Sequence, residues 1–208
     1  RPEAAAVLLQ SMGAAAVGFE CPADPAAAAE ALADSRRFAH IPLMAHTGEN
    51  PGKDFLFSQR EASIFLTPGK DSAEAAWAAL KGFTPLPLFP ALEEDPAAVA
   101  GGQVFFIEPT VTLSEDLAVT PAFPQQVLEA ENEPWGALKI WIGTEEELLI
   151  FDEYQYMLTL PVCLCSRSPE LFARAVAAYC GRALYDGACE IPDKLVARLS
   201  ARYGLIVL

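Results

Sequence analysis

Short apolar runs recur along this chain, and a pattern typical of a helix follows most of them. Runs this short and continuous are typical of parallel strands that are buried on both faces. Their alternation with helices predicts an α/β fold with a mainly parallel sheet. The eight runs are Ala15–Phe19, Ile41–Ala45, Ser63–Leu66, Val104–Ile107, Leu138–Ile142, Val162–Leu164, Ala183–Tyr185 and Leu205–Leu208.

Eight strand-and-helix units are the number that a closed TIM-like (β/α)8 barrel contains. The chain starts with a predicted helix, Pro2–Met12, and ends on a predicted strand. We therefore expect a permuted barrel assembled from two half-barrels, residues 1–90 and 104–208. Residues 91–103 are predicted as a linker, because prolines and a Gly-Gly pair interrupt the pattern in this region. The proline-containing stretch Pro109–Pro124 is expected to be irregular.

Charge and cysteine content narrow the functional classes. The chain carries 28 acidic and 14 basic residues, a net charge of −14, which would repel a nucleic-acid backbone. No stretch approaches the 18 or so apolar residues that a membrane-spanning helix needs, so no membrane partner is expected. Five cysteines without regular spacing argue against a disulfide framework and favour reduced thiols in the cytoplasm. Two of them, Cys163 and Cys165, share one apolar run, where we expect their side chains to point to opposite faces.

Two potential metal ligands follow strands in the first half of the chain. Cys21 comes just after the first run, at the end of a strand where ligands bind in β/α folds. A thiolate there suits zinc, and zinc can activate a second thiol for methyl transfer. His46 follows the second run and could serve as another ligand. The alternative interpretations are a buried, unreactive thiol and a loop histidine that makes an ordinary hydrogen bond.

Three segments in the first half stand in a recognisable order: Gly13–Cys21, His46–Pro51 and Phe65–Glu74. Three more follow in the second half: Leu160–Glu170, Tyr179–Gly187 and Arg202–Gly204. In this order the chain resembles cobalamin-dependent methionine synthase. The first half is similar to the end of its homocysteine-binding domain, and the second half is similar to the start of its pterin-binding domain.

The resemblance implies ligands that this chain carries only in part. In the family three cysteines bind zinc; here Cys21 matches one of them, while Thr67 and Pro68 occupy the other two places. The family's pterin-binding positions fall at or near Trp141, at Cys165 and at Asp186, where family members have acids and amides. Trp141 would either fill the ligand cavity or stack on a planar ring. Zinc, folate and cobalamin are thus the cofactors that the resemblance implies, and none is assigned.

A second hypothesis is that a wider set of polar residues at strand ends forms one site. In a barrel, Glu20, Glu108 and Asp186 would converge with Cys21, His46 and Cys165 around one mouth. Such a set could bind a metal or supply a general base. The simpler interpretation is that polar residues end strands because strands end at solvent.

Three functions remain open from the sequence. The first is a methionine-synthase-like protein that has lost zinc-dependent methyl transfer to homocysteine and retains at most small-molecule or partner binding. The second is an active methyltransferase of one-carbon or corrinoid metabolism, with a site rebuilt from the cluster above. The third is a non-catalytic partner of a corrinoid protein or methyltransferase. Assembly with a second copy of the chain is compatible with all three.

Overall fold

The computed structural model describes residues 1–20, 25–47, 54, 56, 59–84 and 96–208. The chain divides into two compact units, of which the first contains Arg1–Gln10 and Ala14–Ala91 and the second contains Ser11–Gly13 and Leu92–Leu208. Both contain helices and parallel strands, so the predicted α/β class is confirmed. Within the described residues, no helix is long and apolar enough to cross a membrane.

The first unit contains a small parallel sheet whose strands are neighbours in chain order. Strand β1 (Val17–Phe19) pairs with β2 (Leu43–His46), and β2 pairs with β3 (Ile64–Leu66). The helices of this unit are α1 (Pro2–Ser11), α2 (Pro25–Arg36) and α3 (Lys70–Ala79). The three predicted strands of this half and the predicted helix Pro2–Met12 are thus present, with ends shifted by one or two residues. A small apolar core is formed by Leu32, Ala39, Leu43, Ala45 and Ala62.

The second unit opens with a hairpin that the apolar pattern did not predict. Strand β4 (Ala97–Ala100) pairs in antiparallel fashion with β5 (Gln103–Phe106). Two glycines with positive φ, Gly101 and Gly102, make the two-residue turn that reverses the chain. The prediction of a parallel strand at Val104–Ile107 is therefore wrong. Four residues of the segment predicted as a linker form β4.

The remaining strands of the second unit form a five-stranded sheet, parallel throughout. The order β6-β7-β8-β9-β10 follows the chain, so each strand lies beside the next one in sequence. The strands are β6 (Leu113–Ala118), β7 (Ala137–Trp141), β8 (Val162–Cys165), β9 (Leu184–Tyr185) and β10 (Ile206–Val207). The helices are α4 (Phe123–Ala130), α5 (Glu145–Tyr154), a 3₁₀ turn (Gln155–Met157), α6 (Pro169–Ala178) and α7 (Asp193–Tyr203).

Strand β6 and the first two residues of helix α4 lie in the stretch Pro109–Pro124, which was expected to be irregular. Strand β6 contains Ser114, Glu115 and Asp116 in sequence, so it lacks the apolar continuity of its neighbours. Helix α4 has Pro124 in its first turn, where the missing N–H has no helical partner to lose. The prolines therefore mark the ends of elements here.

Local capping explains where the helices around the sheet begin and end. The Ser168 hydroxyl accepts from the Leu171 N–H at 3.2 Å, and Pro169 follows at the first position of α6. Thr144 caps α5 in the same way, accepting from the Glu147 N–H at 3.2 Å. Helix α7 ends at Gly204, which has a φ of 70°. These short-range signals are visible in the sequence and hold in the structure.

Helix α6 packs against one face of the five-stranded sheet, and Asp186 and its neighbours lie on the other face. The ring of Phe172 in α6 lies 5.1 Å from the ring of Tyr185 in β9. Asp186 comes next in the chain, so it points to the opposite face. By the same alternation and the register of the sheet, Lys139, Cys163 and Cys165 share that opposite face.

Gly181 provides the close approach between the hairpin and the main sheet of the second unit. A Cβ atom there would collide with the Val99 carbonyl oxygen and lie 2.6 Å from carbons of the Tyr179 ring. That carbonyl also accepts from the Arg182 N–H at 2.9 Å and from the Tyr179 hydroxyl at 3.3 Å, so it cannot move without losing both bonds.

Replacing Gly181 with alanine is therefore expected to lower the free energy of unfolding by about 1–3 kcal/mol. Urea denaturation measures the change. Gly69→Ala is the matched control, because an added Cβ at that position meets no atom within 4 Å. Equal effects of the two substitutions would contradict the tight packing at Gly181.

Candidate functional site

The three residues predicted to contact a cofactor in the second half lie at one edge of the five-stranded sheet. Trp141 and Cys165 are the last residues of β7 and β8 and are paired in register. Asp186 follows β9 directly, and its Oδ1 lies 3.8 Å from the Cys165 Sγ. Because the strands are parallel, these residues share the edge where α/β proteins bind their ligands.

Cys163 joins this group, against expectation. The ligand atoms of Cys163, Cys165 and Asp186 all lie within 4.8 Å of one another. The prediction that the two cysteines point to opposite faces is wrong, because residues two apart in a strand share a face. Their two-residue spacing in the sequence was the signal for this. Cys163, Cys165, Cys180 and Cys189 are free thiols.

Lys139 is the residue at this edge that the sequence analysis missed. Its Nζ lies 2.9 Å from Asp186 Oδ2 and 3.4 Å from Asp116 Oδ1. The lysine side chain is only 18% exposed, so the charge is held away from bulk solvent. The hydrogen bond to Asp186 is the main reason why the pKa of Lys139 is raised. The sequence signal for Lys139 was that it is a single charged residue within the apolar run Leu138–Ile142, two residues before Trp141.

Asp186 is held by the backbone on one side and by the lysine on the other. Its Oδ1 accepts from the Ala188 N–H at 3.0 Å, in a turn that Gly187 permits by adopting a φ of 74°. Burial on its own would raise the pKa of this carboxyl group. The bonds from Lys139 and from the Ala188 N–H outweigh burial, so the pKa of Asp186 is lowered overall. The group is therefore a carboxylate at neutral pH.

The turn after Asp186 brings a further thiol to the cluster. The Tyr185 hydroxyl donates to the Cys189 carbonyl, and the Cys189 side chain is buried. Burial and the neighbouring Cys165 raise the pKa of Cys189 to about 11. The pKa of the Cys165 thiol is also raised, chiefly by its hydrogen bond with Cys163 and by burial. Both groups are neutral thiols near pH 7, so neither is an activated nucleophile on its own.

Trp141 contributes a flat surface beside this polar group. The Arg167 guanidinium carbon lies 5.5 Å from the centroid of the Trp141 ring, within the range of a cation–π contact. The residue after next, Gly143, donates its N–H to Glu147 Oε2 at 2.5 Å, which fixes the turn into α5. The edge thus presents an aromatic ring, two cationic groups, a half-buried carboxylate and several thiols.

In the described part of the first unit, His46 pairs with one acidic group, that of Glu20. His46 Nδ1 lies 3.3 Å from Glu20 Oε1, and the two residues lie at the ends of adjacent strands. Cys21, the predicted zinc ligand beside Glu20, lies outside the described residues. No set of three ligand-bearing side chains in the described part of the chain includes His46.

The positions that the resemblance assigns to zinc binding do not fit that metal in this chain. Thr67 donates its hydroxyl to the Gly69 carbonyl at 3.4 Å, and Pro68 has no side-chain ligand atom. A single thiol with a hydroxyl and a proline is not a zinc-binding set. No step of methyl transfer can therefore be derived through zinc at this position.

The structure removes the reason for placing Glu108 at the ligand-binding edge of the parallel sheet. It follows β5, which belongs to the antiparallel hairpin and not to the parallel sheet. Its side chain is exposed. The position of Glu108 therefore follows from the hairpin and gives no reason to group it with Asp186.

Neither a protein-family model nor a curated protein matches this chain. The function therefore has to be argued from the geometry of its own residues.

Proposed function

We propose that this chain is a methionine-synthase-like protein that has lost zinc-dependent methyl transfer to homocysteine and keeps a small-molecule site in its second half. The observation that carries the proposal is the edge formed by Trp141, Cys165 and Asp186. These are the positions that the resemblance assigns to pterin binding, and they lie at the ends of three neighbouring strands.

The ligand class follows from the chemistry of this edge. Asp186 offers carboxylate oxygens that accept from N–H groups, and Lys139 offers a donor 2.9 Å away. Trp141 offers a planar ring on which a flat heterocycle can stack. A heterocycle with an amide-type edge, as in a pterin, matches a donor and acceptor placed side by side. Lys139 thus supplies a charged hydrogen-bond donor, which the side chains of Cys165 and Trp141 lack.

The loss of methyl transfer rests on the first half. Thr67 and Pro68 stand where two zinc thiolates would be needed, and neither supplies one. Without zinc to lower the pKa of a bound thiol, homocysteine would not be activated there.

The architecture forms part of the same proposal. In both parallel sheets the strand order follows the chain, three strands in one and five in the other. A doubly wound sheet would reverse its order at a switch point, whereas a barrel keeps it. We therefore regard each sheet as an arc of a TIM-like barrel, in keeping with the two half-barrels expected from the sequence.

Titration calorimetry with methyltetrahydrofolate and with homocysteine, each with and without added zinc, tests the function. We expect heat of binding with methyltetrahydrofolate that is lost in Asp186→Asn and kept in Asp193→Asn, an exposed acid of the same unit. We expect no heat with homocysteine under either condition.

Three results would overturn this proposal. Heat with homocysteine that requires zinc would favour an active methyltransferase. An absence of heat with methyltetrahydrofolate, or equal heat in both aspartate variants, would remove the site at the edge of the second sheet.

A further inference from the structure

We propose that Cys163, Cys165 and Asp186 bind a thiophilic divalent cation such as zinc. This site lies in the second unit and differs from the zinc position that the resemblance implies at Cys21. It shares Cys165 and Asp186 with the small-molecule site but requires no organic ligand, so it does not rest on that function.

The three ligand atoms already converge. They lie within 4.8 Å of one another, and the Cys165 Sγ is 3.8 Å from Asp186 Oδ1. Zinc–sulfur bonds of about 2.3 Å at a tetrahedral angle separate two sulfurs by about 3.8 Å. Closing the site therefore requires side-chain shifts of about 1 Å or less, which small rotations about the Cα–Cβ bonds supply.

The ligands come from rigid parts of the fold. Cys163 and Cys165 belong to β8, which pairs with β7 on one side and β9 on the other. Both side chains are buried, at 0% and 1% exposure. Asp186 is fixed by the Ala188 N–H. A site on a central strand and a hydrogen-bonded turn loses little conformational freedom when a cation binds.

The carboxylate can bind a cation without losing its partner. Oδ1 is the oxygen nearest Cys165, whereas Oδ2 is the oxygen that Lys139 contacts at 2.9 Å. Lys139 would thus remain as an outer partner that orients the metal-binding carboxylate.

The charges balance when the cation is present. Two thiolates and one carboxylate carry three negative charges, which a divalent cation and the Lys139 ammonium neutralise. Without a cation, two buried thiolates beside the Asp186 carboxylate would repel one another.

Cobalt titration of the reduced, chelator-treated full chain tests this site. Cys21→Ser serves as the background, so that the thiol of the first half cannot contribute. We expect one equivalent of Co²⁺ to give a thiolate-to-metal charge-transfer band and the strong visible bands of a tetrahedral site, and one equivalent of Zn²⁺ to displace it.

Matched variants locate the ligands. Cys165→Ser and Asp186→Asn are expected to weaken metal affinity by more than the roughly 100-fold that loss of an outer-shell partner can cost. Cys180→Ser is the control, because Cys180 is exposed and lies outside the cluster. Circular dichroism establishes that each variant is folded before it is titrated.

Two outcomes would overturn the inference: no thiolate band in the folded Cys21→Ser protein, or the same band in Cys165→Ser as in Cys180→Ser. The cobalt signal is read without any organic ligand, and methyltetrahydrofolate heat is also read in the titration without added zinc. Failure of one proposal is therefore distinguishable from failure of the other.

Discussion

Replacing Lys139 with methionine is expected to lower the free energy of unfolding at pH 7 by about 3 kcal/mol. The substitution keeps the length and the apolar stem of the side chain but removes the cation that pairs with Asp186. It leaves a carboxylate that is only 14% exposed without its strongest partner. Removing one member of a buried ion pair costs more than removing both, because the remaining charge stays poorly solvated.

The loss of stability caused by Lys139→Met is expected to be larger at pH 7.5 than at pH 4.5. In the unmodified protein the pKa of Asp186 is lowered, so its contribution to stability is present above the unfolded-state pKa of about 3.9 and is lost as pH falls through the folded value. Without Lys139, burial dominates and the pKa of Asp186 rises above its unfolded value. Stability is then greatest at low pH and is lost as pH rises through the folded pKa.

Urea denaturation of the two proteins at pH 7.5 and pH 4.5 measures both effects. The difference between them should shrink at the lower pH. The double variant Lys139→Met, Asp186→Leu is the control, and it should recover most of the stability because no unpaired charge remains. If the double variant is as unstable as Lys139→Met at pH 7.5, the ion pair is not the reason for the loss.

Replacing Phe172 with alanine is expected to cost about 3–5 kcal/mol. Phe172 is fully buried, and its ring lies 5.1 Å from that of Tyr185. Truncation removes apolar contacts and leaves a cavity between α6 and the sheet. Because Tyr185 immediately precedes Asp186, the same change should also loosen the edge that carries the proposed site.

Denaturation by urea reports the loss of stability, and calorimetry with methyltetrahydrofolate reports the effect on the site. Phe172→Leu should lose less, since it retains most of the apolar volume. Leu149→Ala is a surface control, because Leu149 is 68% exposed, and it should change stability by no more than about 0.5 kcal/mol. A loss below about 1 kcal/mol for Phe172→Ala would mean that the core between α6 and β9 is looser than described.

Local signals in the sequence predicted most of the individual elements. Strands β1–β3 and β7–β10 were found because their apolar runs are short and continuous. Strand β6 was not predicted, because Ser114, Glu115 and Asp116 interrupt its apolar residues. The antiparallel direction of β5 was not predicted, because an apolar run does not indicate which strand it pairs with. The Gly101–Gly102 turn does indicate the hairpin.

The site was predictable only in part. Trp141, Cys165 and Asp186 were proposed from a resemblance, and the structure brings them to neighbouring strand ends. Cys163 could have been added from its spacing to Cys165. Lys139 and Cys189 could not be assigned from local pattern, because what defines them is contact with residues 47 and 24 positions away in the chain, Asp186 and Cys165.

By itself the sequence determined the alternation of strands and helices and the free state of the four described cysteines, because the first depends on residues close together in the chain and the second on composition. Only the tertiary structure decided which strands pair and which polar groups meet at the edge of the second sheet. Strand pairing joins residues distant in sequence, and the charge of Asp186 depends on a balance between burial and Lys139 that exists only after the sheet has formed.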